Sequence, residues 1–327
     1  MLDIISLGEP LVEFCATRVG RLKDVFLFKR GWGGDTSNVL VTAARLGRTT
    51  GYITRVGDDE FGKCFLEMWR REGVDVSHVI IEKNGFTGVY FILLTEEGKH
   101  EFIYYRKNSA ASHLSPSDID PNYIKQSKIF HSSGISQAIS ESCREAVFKA
   151  AEIAKKAGVL FSYDPNVRLK LWPINVARNI INYTLELADI VMPSLEDAKL
   201  FTGLSSPSEI ADIILKSGPS IVVIKLGSQG CLVATKREKT LVPSFPVDKV
   251  VDTTGAGDAF TGAFLAALLE GQNPKEAARF ANAVAALKTL GRGAVASLPT
   301  RKRVEKFLSH FKSRNSFRQS LHDRRRA

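Results

Sequence analysis

Asp252-Thr253-Thr254-Gly255-Ala256-Gly257-Asp258 sets an acid at each end of a short stretch that holds two glycines. Val250-Val251 before it reads as a strand end, and Phe260, Ala263, Phe264, Ala267 and Leu268 after it recur at helical spacing. Strand, glycine turn and helix start therefore meet here. Neither glycine carries a Cβ, so the backbone can turn sharply and a ligand can approach it closely. The N–H groups of the helix's first turn point outward, and the helix dipole favours an anion above them. Asp258 adds a carboxylate beside that anion site, which is the equipment for phosphoryl transfer to a hydroxyl. Gly255, Ala256 and Gly257 are then the candidate anion hole and Asp258 the candidate base. A glycine-rich loop with an N-capping Asp would use the same residues without chemistry. Asp252 belongs to a phosphate or magnesium shell, or it holds the turn.

A second glycine-rich stretch, Gly31-Trp32-Gly33-Gly34-Asp35-Thr36-Ser37-Asn38, opens a helix expected over 36–46. Bare backbone approaches a ligand here, and Asp35 and Asn38 offer groups that bind hydroxyls. Together with Arg55-Val56-Gly57-Asp58-Asp59-Glu60-Phe61-Gly62, these stretches resemble the recurrent motifs of the ribokinase-like (PfkB) family of carbohydrate kinases. Val223-Ile224-Lys225-Leu226-Gly227-Ser228-Gln229-Gly230 resembles that family's nucleotide-flanking strand and turn, and Asn282 falls on its adenine-side helix. Pro193-Ser194-Leu195-Glu196-Asp197 stands where the family has Asn-x-x-Glu; here Ser194 replaces Asn and Asp197 replaces Glu, keeping the carboxylate. The resemblance covers about residues 1–310.

Within the family, Gly8-Glu9-Pro10-Leu11-Val12-Glu13, Gly85-Phe86-Thr87-Gly88-Val89-Tyr90, Tyr104-Tyr105-Arg106-Lys107 and Asp164-Pro165-Asn166-Val167-Arg168 are most similar to 2-keto-3-deoxygluconate kinases. That substrate carries a carboxylate, which Arg106 and Arg168 could bind by charge-assisted hydrogen bonds. A structural ion pair is the plain alternative for Arg168. The resemblance implies a sugar site of Gly34, Tyr90, Tyr104, Arg106, Asn166, Arg168 and Asp258. It implies an ATP site of Ser194, Lys225, Gly227, Gly230, Gly255, Gly257 and Asn282, with Mg²⁺ near Asp197 and Asp252. An Asp of ordinary pKa, roughly 3.9, is a weak base, so proton transfer is expected late. Rival substrates are a neutral ketose, ribose or a nucleoside; a rival of another class is a silent sugar-sensing or nucleic-acid-binding regulator.

The elements that must position these residues read as alternating strands and helices. Strands are expected over 52–56, 129–131, 159–163, 190–192 and 221–225, and helices over 61–72, 141–156, 175–187 and 209–216. Such alternation implies an α/β fold with a mostly parallel sheet flanked by helices and ligands at its carboxyl edge. Residues 10–30 and 86–107 carry β signals without helix, which the resemblance makes a small β-sheet lid. If residues 95–99 form a five-residue turn, Tyr90 opposes Tyr104, and Phe102, Tyr104 and Arg106 share its face.

Nothing in the 327 residues approaches the roughly 18 apolar residues of a membrane span. Cys15, Cys64, Cys143 and Cys231 lack metal-ligand spacing, so a reducing cytoplasm is expected. Of the net charge of +10, the last 27 residues hold +8, in ten Lys/Arg against two acids. Residues 311–327 thus read as a solvated basic tail, and nucleic acid is not an expected partner. His131 reads as a structural histidine; Trp32 and Trp172 either stack on ligand or pack. A small sheet with open edges points to a homo-oligomer.

Overall fold

The structure, a computed structural model, describes residues 1–96 and 100–311. The centre of the expected hairpin turn and the tail beyond residue 311 lie outside the described residues. Ten strands build a large sheet, with Leu2–Leu7 near its middle, paired in parallel with Thr50–Gly57 and Ser127–Ser133. The order runs outward through Leu160–Asp164, Ile190–Val191 and Ile221–Lys225, all parallel. It ends in Cys231–Thr235 and Lys239–Val242, which turn antiparallel. These last two strands are missing from the sequence reading, because a short turn rather than a helix joins each to its neighbour.

Side chains alternate across a strand, and Ile4 and Ile5 accordingly enter different cores. One core joins Ile4 to Val39, Phe65, Phe264 and Val284; the other joins Ile5 to Phe130, Val147, Phe161 and Ile181. A parallel sheet covered on both faces in this way needs strands that are apolar throughout. The Ala256–Leu269 helix is apolar on every side, as a buried helix must be. It packs between the helices Asp35–Arg45 and Pro274–Lys288. A Cβ at Gly262 would stand 2.5 Å from the Val39 carbonyl oxygen, so only a bare backbone permits the contact. That approach brings the N-termini of the Ala256–Leu269 and Asp35–Arg45 helices together.

The second, four-stranded sheet has the order Phe28–Gly33, Leu11–Val19, Val89–Leu94, His100–Tyr105. Its outer pairs are antiparallel and its central pair is parallel. Tyr90 lies opposite Tyr104, the register that a five-residue turn dictates. Tyr90, Phe102 and Tyr104 stack along one face, and the Arg106 guanidinium lies 5.5 Å from the Tyr104 ring centroid.

Candidate active site

Gly255 caps the Ala256–Leu269 helix in the left-handed region, at φ 77°, and Ala256 N–H donates to the Thr253 carbonyl at 3.0 Å. The following N–H groups have no acceptor within their own helix, which leaves them facing the carboxyl edge of the large sheet. Lys225 ends its strand beside them: a Cβ on Gly257 would lie 3.5 Å from the Lys225 ammonium. A helix N-terminus and an ammonium therefore bound one anion-sized place. The ammonium is steered there by Asp164, whose Oδ2 lies 2.5 Å from it.

Asp258 sits on the same first turn and accepts a hydrogen bond from Asn38 Nδ2 at 2.7 Å. Its pKa is pushed up to about 7, first by burial and then by the Asp35 carboxylate. The sequence reading made Asp258 an ordinary weak base; the folded environment makes it a base poised near neutral pH. Asp35 is held in turn by Asn166, whose Nδ2 donates to it at 2.8 Å. Asn166 occupies a left-handed conformation, φ 35°, that directs this amide inward.

The small sheet contributes Tyr104 and Arg106. Tyr104 is partly exposed, and the charges of Arg106, Arg168 and Asp35 reach it. Arg106 is ion-paired with Glu9, a fully buried carboxylate that also accepts from Ser109 Oγ at 3.1 Å. Burial raises the Glu9 pKa, with the Arg106 guanidinium opposing it. Arg106 Nε is buried and has no hydrogen-bond partner among the described residues. Arg168 is half-exposed, 3.8 Å from Asp197, and donates to the neighbouring Val167 carbonyl at 2.9 Å. Gly34 starts the Asp35–Arg45 helix at φ 101°; a Cβ there would press to 2.4 Å of the Glu9 carbonyl oxygen.

Ser194, Gly227 and Gly230 line the adjoining stretch of the sheet edge. Ser194 pairs with Lys225 by an isolated bridge, and its Oγ caps the Asp197 N–H at 3.0 Å. Gly227 and Gly230 bound the turn between Ile221–Lys225 and Cys231–Thr235, both at positive φ. Asp197 is buried, and burial followed by the Asp164 charge raises its pKa.

Three sequence-predicted site residues are turned inward. Tyr90 is buried and donates its O–H to Glu13 at 2.6 Å, so its ring supports Tyr104 and its phenol is already engaged. Asn282 is buried and donates Nδ2 to the carbonyls of Val242 and Pro243, at 3.1 Å each. It fixes a loop. Asp252 accepts from Thr254 N–H at 2.9 Å and Gly293 N–H at 2.8 Å, one bond to each carboxylate oxygen. Burial works to raise its pKa, but those N–H groups and the Lys288 ammonium outweigh it and hold the carboxyl below its ordinary value. Of its two readings, the geometry favours the turn. Among the described residues no group of three His, Cys, Asp or Glu is placed to hold a metal ion.

His131 is buried, hydrogen-bonded to Ser162 Oγ at 3.1 Å, and pushed down to about 4 by burial, so it is neutral and structural. Trp32 packs on Phe65 and Trp172 is buried in the core. The sequence reading named no role for Glu9, Glu13, Asp164 or Lys288, although the first three sit in stretches it singled out. An acid inside an otherwise apolar strand start, as in Leu11-Val12-Glu13, was the available signal.

The family model for pfkB family carbohydrate kinases matches residues 1–301. The chain belongs to that family. It is therefore a carbohydrate kinase, an enzyme that phosphorylates an alcohol group. It is 37% identical to the 2-dehydro-3-deoxygluconokinase of Bacillus subtilis (strain 168) over 310 residues, 94% of this chain and 96% of that protein. It is also 37% identical to fructokinase-1 of Oryza sativa subsp. japonica, over 93% of this chain and 97% of that one. Among solved structures, a putative ribokinase II from E. coli in complex with ATP and Mg²⁺ is 32% identical, with a TM-score of 0.89 over 95% of this chain and all of its own. The kinase thus has relatives acting on an acidic and on a neutral sugar at equal distance. No helix among the described residues of the kinase is long and apolar enough to cross a membrane.

Proposed function

We propose that this kinase transfers the γ-phosphoryl group of ATP to the primary hydroxyl of an acidic keto-sugar, 2-keto-3-deoxygluconate, to give the 6-phosphate. The observation that carries the substrate class is the buried, unpartnered Nε of Arg106, with the charge of the half-exposed Arg168 also reaching the Tyr104 beside it. An orphaned donor in a buried guanidinium costs free energy until an acceptor arrives. A carboxylate is the acceptor that suits it, since it pairs with guanidinium groups by charge-assisted bonds. The Bacillus subtilis relative's named substrate agrees.

ATP lies along Ser194, Gly227 and Gly230, with Asn282 holding the Val242–Pro243 loop under it. Its terminal phosphate meets the N–H groups of Gly255 and Gly257 and the Lys225 ammonium, the Ala256 N–H being already engaged by Thr253. The sugar hydroxyl oxygen forms a bond to phosphorus as the bond to the bridging oxygen breaks; ADP leaves, and the hydroxyl proton passes to Asp258. The Asp35 carboxylate that raises the pKa of Asp258 also makes it the better proton acceptor. Buried Asp197, whose pKa is raised by burial and then by the Asp164 charge, would suit Mg²⁺, an ion that needs few protein carboxylates. When bound, that ion neutralises phosphate charge. Exclusion of water by the small sheet protects the phosphoryl group from hydrolysis. The four free, scattered thiols agree with a reducing compartment. The exposed Phe26 and Leu27 beside the small sheet suit pairing of two copies.

One observation favours a neutral ketose instead: Glu9 already balances the charge of Arg106, and the rice fructokinase is as similar as the acidic-sugar kinase. Initial rates with ATP on 2-keto-3-deoxygluconate, fructose, ribose and adenosine separate the two. The acidic sugar should have the highest kcat/KM, and highest rates on fructose would assign the neutral substrate.

A further inference from the structure

Lys288 has no exposed surface, yet it carries an ammonium. Its Nζ donates to the Asp252 carbonyl oxygen at 2.9 Å and stands 3.8 Å from Asp252 Oδ2. The other acids whose charge reaches it are Glu13 and Asp258. Glu13 comes from the small sheet and is itself buried. It accepts the Tyr90 phenol and the Ala294 backbone N–H. The 293–294 segment then touches the anion hole twice. Gly293 N–H donates to the same Asp252 carboxylate that holds Thr254, and a Cβ on Gly255 would lie 3.2 Å from Ala294 Cβ. Glu13, Ala294, Gly293, Asp252 and Thr254 thus form one continuous path from the small sheet to the turn that starts the helix. Its charges are the Glu13 and Asp252 carboxylates, and the Lys288 ammonium lies against Asp252.

We infer that Glu13 and Lys288 are positioning residues of phosphoryl transfer: Lys288 holds Asp252 and Glu13 holds the 293–294 segment, and together they tie the small sheet to the Asp252–Gly255 turn and set the anion hole. A buried charge stripped of its partner is costly, and here the cost falls on that turn. Loss of Lys288 leaves the buried Asp252 carboxylate without its cation and within the field of Glu13, which displaces the Thr254 and Gly293 bonds. Both residues are buried and stand outside the sets assigned to sugar and nucleotide. Their removal should therefore lower kcat and leave ground-state binding intact.

The inference rests on kinase activity and not on the choice of sugar, so the assay uses whichever sugar the wild-type chain turns over fastest. Lys288→Met should lower kcat by about tenfold or more, with the sugar KM and the calorimetric ADP affinity each within about threefold. Glu13→Gln keeps an acceptor for Tyr90 and should lower kcat by about threefold. In the double variant the repulsion is gone, so kcat should equal or exceed that of Lys288→Met alone. A Lys288→Met kcat within about threefold of wild type, or a double variant slower than Lys288→Met, overturns the inference. If Lys288→Met does not fold, Glu13→Gln decides by itself: an unchanged kcat overturns the positioning role, and a lowered kcat at unchanged ADP affinity supports it.

Discussion

Asp258 gains its chemistry from its neighbours. Burial first, and then the repelling Asp35 carboxylate, push its pKa up to about 7, while Asn38 orients it and opposes the rise. Asp258→Asn keeps the bond with Asn38 and removes the proton acceptor. Turnover should fall by roughly a hundredfold or more while ADP affinity holds, as initial rates and calorimetry would read. Wild-type kcat/KM should lose activity on the acid side of about pH 7, where Asp258 becomes protonated; Asp258→Asn should lack that limb. The same shift sets a stability trend. A carboxyl whose pKa is raised in the fold favours folding below its unfolded value, near 3.8, and the benefit is lost as pH rises through about 7. Asp258→Asn should therefore raise Tm at pH 8 and leave it nearly unchanged at pH 4, in matched thermal melts. An equal change at both values would remove the pKa account. None of this was visible in the chain order, since Asp35 and Asn38 lie more than 200 residues from Asp258 and meet it only through helix packing.

At the scale of elements, the motifs that carry local geometry were legible and those that depend on partners were not. The glycine turn before Ala256–Leu269 announced a helix N-terminus, and the alternation of Tyr90, Phe102 and Tyr104 announced a stacked face. Backbone conformation and strand period are local properties. What Tyr90 and Asn282 do with their polar atoms is not local. Glu13 takes the phenol and the Val242–Pro243 loop takes the amide, and both acceptors come from distant segments. The antiparallel strands Cys231–Thr235 and Lys239–Val242 escaped notice because tight turns, and no helix, connect them. The turn itself makes a sharp prediction. Gly255→Ala must hold an alanine at φ 77° with its Cβ 3.2 Å from that of Ala294. The left-handed conformation alone should cost about 1–2 kcal/mol in denaturant unfolding. Turnover should drop further than stability, because the N–H groups at the helix start move.

Over the whole molecule, two bodies of sheet meet at one edge, and their junction holds the acids, the ammonium and the guanidinium groups. The excess positive charge lies in residues 301–327, which leaves the first 300 residues nearly balanced. Phe26 and Leu27, exposed by 83% and 72%, stand out beside the small sheet. Sedimentation should show a dimer that Phe26→Ser with Leu27→Ser converts to monomer; a wild-type monomer would refute pairing there. The most direct test of the substrate assignment is kcat/KM for 2-keto-3-deoxygluconate against fructose, in the wild type and in Arg168→Ala. The wild type should prefer the acidic sugar by about a hundredfold, and Arg168→Ala should lose at least about tenfold of that preference through KM. Equal values for both sugars in the wild type, or an unchanged preference in Arg168→Ala, would contradict a site built for a carboxylate.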